Sequence, residues 1–149
     1  MKENVLRNYK WQQLSGTTPK YFKTLGHLRF EQCSEDGARS SSLLFHKPGF
    51  EKIMYDLMVE TNGATAIVVG MLVKGIDVQS LKYIIHFYDH EGAFIKSVSH
   101  DVAEEVGTNY KNICVTYAVP DEASSLNIEY HINGLAKGFN CCLPSLILK

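Results

Sequence analysis

Leu81-Lys82-Tyr83-Ile84-Ile85-His86-Phe87-Tyr88-Asp89-His90-Glu91-Gly92-Ala93-Phe94-Ile95-Lys96-Ser97 reads as two β-strands joined by a tight turn. The first strand is dense in β-branched and aromatic residues. Asp89 to Gly92 collects turn formers, and Gly92 supplies the positive φ that such turns often need. The theme repeats outward in both directions: a short apolar strand, a polar turn, another strand. A chain built this way is an all-β sandwich or barrel.

Downstream of the hairpin, Asp101 to Asn109 is expected as a short helical turn or a loop. Lys111 to Val119 is a strand closed by Pro120-Asp121-Glu122. Ser125 to Asn133 alternates cleanly and ends at Asn133-Gly134, and Gly138 to Leu148 is the last strand. Upstream, Ala64 to Lys74 is an unbroken apolar run, which marks a central, buried strand. Residues 50–60 fit a strand with a bulge, and Phe50, Ile53, Met54, Leu57 and Met58 also fit helical spacing. Ser40 to Phe45 and His27 to Gln32 read as strands, with turns at Ser34 to Gly37, Pro48-Gly49 and Asn62-Gly63. Residues 8–25 look irregular, and Asn4 to Arg7 could open the fold as a short strand. This amounts to eight to ten strands, with a short helix over 50–60 as the alternative there.

Size and composition narrow the field. A chain of 149 residues suits a single domain, 1–149, able to bury a core without staples. The net charge of −1 argues against a nucleic-acid partner. No apolar run reaches the length of a membrane-spanning helix. Met1-Lys2-Glu3-Asn4 is not followed by an apolar segment, so no signal peptide is visible. Cys33, Cys114, Cys141 and Cys142 match no zinc spacing; read as free thiols, they favour a cytoplasmic or phage-encoded protein.

Several segments carry a more specific likeness. Gly70 to Gly75 is similar to a strand ending in "vkG", and Tyr83 to Gly92 to a strand followed by F-Y-D-x-x-G. Asn112 to Pro120 is similar to a strand ending in "tftvP", Ser125 to Ile132 to the strand after it, and Pro144 to Leu148 to a closing "vsL" strand. Asn4 to Asn8 is a looser match to an opening "NLlkN". In these segments the chain resembles the galactose-binding-domain-like, jelly-roll carbohydrate-binding modules appended to glycoside hydrolases and phage tail proteins. The resemblance implies a jelly-roll β-sandwich of two antiparallel sheets and a non-catalytic module that binds an oligosaccharide or polysaccharide. It also implies attachment to a larger parent protein or a homo-oligomer. The family's structural calcium ion is held by acids in the opening and closing segments. Here Tyr9-Lys10-Trp11-Gln12 and Leu143-Pro144 stand in their place, so the expectation is no cofactor or metal, with the family's structural calcium as the alternative.

Strand alternation then proposes a face. With Ile85, Phe87, Leu126, Ile128, Tyr130, Ile132, Ile113, Val115 and Tyr117 inward, the outward set differs in kind. If the three strands share one sheet, as in the resembled fold, one face carries His86, Tyr88, Thr116, Asn127, Glu129 and His131. Such residues offer hydrogen bonds to sugar hydroxyls and an aromatic plate for the C–H face of a ring. The bland reading is the wet face of an antiparallel sheet. Trp11, the only tryptophan, is a further loop candidate for ligand contact, or it plugs one end of the sandwich. A structural or assembly module, using a strand edge or the outward Ile84, is the alternative. Enzymatic signals are thin: His86 and His90 would be too far apart along a strand to share a metal, and Asp101, Glu104 and Glu105 read as a solvated acidic loop.

Overall fold

The computed structural model describes residues 3–32, 38–43 and 49–149. Among them lie thirteen strands: β1 (Leu14–Ser15), β2 (Thr18–Pro19), β3 (Phe22–Leu25), β4 (Arg29–Gln32), β5 (Arg39–Leu43), β6 (Gly49–Tyr55), β7 (Val59–Glu60), β8 (Ala66–Ile76), β9 (Ser80–Tyr88), β10 (Phe94–Asp101), β11 (Lys111–Ala118), β12 (Ser125–Gly134) and β13 (Gly138–Leu148). Two antiparallel sheets form a jelly-roll sandwich. One runs β10-β9-β12-β6-β3, with β7 alongside β12; the other runs β11-β8-β13-β5-β4. β1 and β2 make a separate two-residue ribbon.

The inward residues of both sheets form one core that includes Ile53, Ile67, Val69, Met71, Leu81, Ile85, Phe87, Leu126, Ile128 and Leu146. β8 lies between β11 and β13, which explains its unbroken apolar character: both its edges are paired and its inner face is covered. Residues 50–55 resolve as strand, with Glu51, Ile53 and Tyr55 inward and Phe50, Lys52 and Met54 outward. β3 lies within the segment expected to be irregular. It is a four-residue edge strand, too short to announce a period.

Asn4 to Arg7 is not a strand. Asn4 instead clips the start of the chain to the end of it. Its Nδ2 donates to the Pro144 carbonyl (2.9 Å) and its Oδ1 accepts from the Leu146 amide (3.0 Å), while the Val5 amide donates to the Leu146 carbonyl (2.9 Å). This happens where β13 bulges between Cys142 and Ser145, which is how a central strand tolerates Pro144. The turns expected at Ser34 to Gly37 and at Pro48 lie outside the described residues, as does Cys33. Among the described residues, no helix is long and apolar enough to cross a membrane.

Three phenols cross from sheet to sheet. Tyr83 Oη donates to the Ile113 carbonyl (2.9 Å), Tyr130 Oη to the Gly70 carbonyl (3.0 Å), and Tyr117 Oη to the Tyr83 carbonyl (2.8 Å). Burial pushes the Tyr117 hydroxyl up to about 12 and raises those of Tyr83 and Tyr130 well above the ordinary tyrosine value.

Gly26 closes a second internal contact. Its φ of 112° suits glycine, and Glu51, 1% exposed, accepts the His27 amide at 2.6 Å beside it. Burial pushes the Glu51 carboxyl up, against the His27 amide and ring that pull it down. A β-carbon at position 26 would lie 1.5 Å from Glu51 Oε2. Gly26→Ala is therefore expected to lower the unfolding free energy by about 3 kcal/mol, from overpacking and a left-handed alanine together. Chemical denaturation reads this directly; an unchanged midpoint would mean that the 26–28 loop repacks freely.

Candidate functional site

Five of the seven residues singled out from the sequence meet on the outer face of the six-stranded sheet. β9 and β12 pair so that His86 faces Asn127, Tyr88 faces Ser125 and Ile84 faces Glu129. β6 flanks β12 on the other side, placing Lys52 opposite His131 and Met54 opposite Glu129. Glu129 is the hub. Its Oε1 meets Lys52 Nζ at 2.6 Å, its Oε2 bonds His86 Nε2, and His131 Nε2 lies 3.5 Å from Oε1. His86 Nδ1 in turn bonds Ser97 Oγ on β10, so a polar relay crosses four strands from Ser97 to Lys52.

The charge balance of the hub follows from partial burial. Burial pushes the Glu129 carboxyl upward, but the hydrogen bonds and charges of Lys52 and His86 outweigh it and hold the group below its ordinary value. Burial pushes the His131 imidazole down, helped by the charges of Lys52 and His86, and Glu129 only partly offsets this. The face therefore carries a fixed carboxylate and a histidine that prefers to be neutral.

Aromatic rings bracket the hub. Tyr88 meets Phe94 edge-on at 5.9 Å between centroids, with the His86 ring 6.4 Å from Phe94. At the other end His131 meets Phe50 edge-on at 5.1 Å. Phe94 is 58% exposed and Phe50 41%, large for phenylalanines without a partner surface. Beside the hub, toward β3 and the 56–58 segment, opens a groove of about 440 Å³ lined by Lys23, Met54, Met58, His86, Tyr88, Asn127 and Glu129 among others. Asn127 Oδ1 is shielded and has no hydrogen-bond partner among the described residues.

Two expected members are elsewhere. Thr116 is exposed but lies on β11, an edge of the other sheet, paired with β8 from Lys111↔Val73 to Ala118↔Ala66. Alternation along β11 gave the correct faces; it carries no information about which strand pairs with which. Trp11 is completely buried, edge-on to Phe30 (5.1 Å) and Phe22 (5.8 Å), and plugs one end of the core. It offers no surface to a ligand. Lys52, Phe50 and Phe94 complete the site and were not singled out from the sequence. Phe94 could have been found from the hairpin itself, because the first residue after the turn pairs with Tyr88.

The remaining candidates lie away from this face. His90 sits exposed in the hairpin turn beside Glu91. Asp101 accepts from Ser80 Oγ (2.6 Å) and from the Ala103 amide (3.0 Å), just ahead of the short 3-10 turn Ala103–Glu105. Among the described residues, no three potential metal ligands cluster.

No family model matches the sequence, and no curated protein matches it. Solved structures do share the fold. The enzymatically active domain of tailspike protein 4 of bacteriophage CBA120 superposes with a TM-score of 0.72 at 14% identity, over 98% of this chain and 21% of that one. This chain thus spans about a fifth of the tailspike domain. The carbohydrate-binding module TmCBM61, solved in complex with β-1,4-galactotriose, matches at 0.64 and 15% identity over 99% of both chains. A family 6 carbohydrate-binding module from Cellvibrio mixtus lichenase 5A, in complex with cellotriose, matches at 0.50 and 14% identity over 85% of this chain and 90% of that one. The architecture is that of the jelly-roll carbohydrate-binding modules.

Proposed function

We propose that this chain is a non-catalytic glycan-binding module that takes an oligosaccharide or polysaccharide along the outer face of its six-stranded sheet. The observation that carries this reading is the Glu129 hub set between exposed aromatic rings. The Lys52 and His86 donors and the carboxylate would order ring hydroxyls, while Tyr88, Phe94 and Phe50 would take the C–H faces. The matches that extend over nearly the whole of both chains are binding modules, which supports a binding rather than a catalytic role.

An assembly role through strand edges is not favoured. The β10 edge is broken by a bulge between Phe94 and Lys96 and carries Lys96, His100 and Asp101, features that discourage edge pairing. Calcium is not required in this reading. The Asn4 amide is already bonded to β13, and Arg7 and Lys10 follow it in the opening segment, a poor setting for a divalent cation.

A glycan array probed with the purified chain, with calcium and with chelator, tests both points. The expected result is a reproducible hit of equal strength in the two conditions. A folded protein that binds nothing on a broad array would overturn the reading, and a hit lost in chelator would restore a calcium site.

A further inference from the structure

The groove on the outer face does not end at Met58. Tyr55, Leu57 and Met58 also line an adjoining depression, and that depression shares Arg7 with a second pocket of about 440 Å³ around the 7–13 loop. The shared lining residues set this second pocket beside the groove, past the end of β6, and its character is different. Arg7, Lys10 and Tyr21 line this second pocket with Asn8, Gln12 and Gln13, and among the described residues no carboxylate lines it. Lys20 adds to the positive charge: its Nζ lies 5.1 Å from the centre of the Tyr21 ring, and Arg7 Cζ lies 5.6 Å from the same ring. The ring holds both cations in place by its π-face.

The pocket is also built rather than incidental. Asn8 Nδ2 donates to the carbonyls of Gln13 (2.8 Å) and Lys20 (2.9 Å), and Asn8 Oδ1 accepts the Gln13 amide (3.1 Å). The Arg7 amide donates to Tyr55 Oη at 2.8 Å, which ties the pocket to the groove. Tyr21, whose ring lines the pocket, holds a φ of 72°, a left-handed conformation costly for a bulky residue, and Asn8 holds 54°, which asparagine adopts more readily. Strain concentrated around one concave, cationic surface is the pattern of a site fixed in advance.

We propose that this pocket binds the carboxylate of an acidic sugar unit, a uronic acid, in the glycan that the outer face holds. Arg7 would fork the carboxylate, Lys20 would add charge, and Gln13 would meet a hydroxyl. The choice of a sugar acid rests on the glycan-binding reading; the anion preference rests on the pocket alone.

Two measurements separate these. In the first, glucuronate and glucose are titrated separately into the labelled protein, and backbone amide shifts are followed. Glucuronate is expected to move the amides of residues 8–13 and 21, and glucose to leave them still. Shifts that are equal for the two sugars, or absent, overturn the pocket whatever the array returns. In the second, an oligouronide and its carboxyl-reduced neutral counterpart are compared by calorimetry. The acid form is expected to bind about tenfold more tightly, an advantage lost in the double variant Arg7→Gln, Lys20→Gln and partly kept in Arg7→Lys. Both side chains are exposed, so the variants should fold. Equal affinity for the two forms overturns the pocket and leaves the outer face standing. Amide shifts with glucuronate but no binding of either oligomer overturn the outer face and leave the pocket.

Discussion

Replacing Glu129 with alanine is expected to abolish measurable glycan binding while the sandwich stays folded. The carboxylate is the shared partner of Lys52 and His86, so its removal deletes an acceptor and frees two donors from their positions at once. Hydrogen bonds to charged groups contribute roughly 1.5–3 kcal/mol each, so an affinity loss of about a hundredfold or more follows. Stability should fall by about 1–3 kcal/mol, because the carboxylate is largely buried and its loss leaves Lys52 and His86 without their acceptor. Calorimetry against an array hit, with an unfolding curve beside it, reads both quantities. Retained affinity would remove the hub from the binding reaction.

The same site sets a pH dependence. Glu129 has a lowered value in the folded state, so its contribution is present above the unfolded carboxylate range and lost as pH falls through the folded value. His131, also lowered, is favoured neutral in the fold; its contribution is full above the ordinary histidine range and falls on acidification. Acid should therefore loosen this face, and Glu129→Gln should flatten the carboxylate part of the profile.

Trp11→Ala is expected to be the most damaging single change to stability, lowering the unfolding free energy by about 3–5 kcal/mol. The indole is fully buried against Phe22 and Phe30, and nothing near it can collapse into a void of that size without moving β3. Its Nε1 has no hydrogen-bond partner among the described residues. Trp11→Phe should thus cost far less, since it keeps an aromatic plug and removes an unsatisfied donor. Denaturant unfolding orders the two variants. Glycan affinity measured where both remain folded should not change, and a loss there would return Trp11 to the binding surface.

What could be read beforehand followed from local pattern. Alternation along 80–88 and 125–133 is strict, so inward and outward residues separate cleanly, and the hairpin between β9 and β10 is written in its turn. The resemblance extended this to the jelly roll. What local pattern does not encode is partner choice. Thr116 shares the correct outward phase with His86 and Asn127, but β11 zips to β8 and carries it to the other sheet. Lys52 escaped because residues 50–60 fit two periods, and without a settled period no face can be assigned. Trp11 stayed open between ligand contact and a plug for the sandwich because its loop has no period, and packing decides for the plug. The second pocket joins residues near 7, 12 and 21 through hydrogen bonds from Asn8, a closure with no sequence signature.

The three phenols that span the sandwich bear on how affinity would be divided between the two molecules that meet. With Tyr83, Tyr117 and Tyr130 tying sheet to sheet, the curvature of the outer face is set when the chain folds and has little freedom left to lose on association. The ordering penalty then falls on the saccharide and on long side chains such as Lys52. Among glycans with the same decorations, the stiffer backbone should be preferred, and the protein would act as a gauge of polymer rigidity as well as of composition.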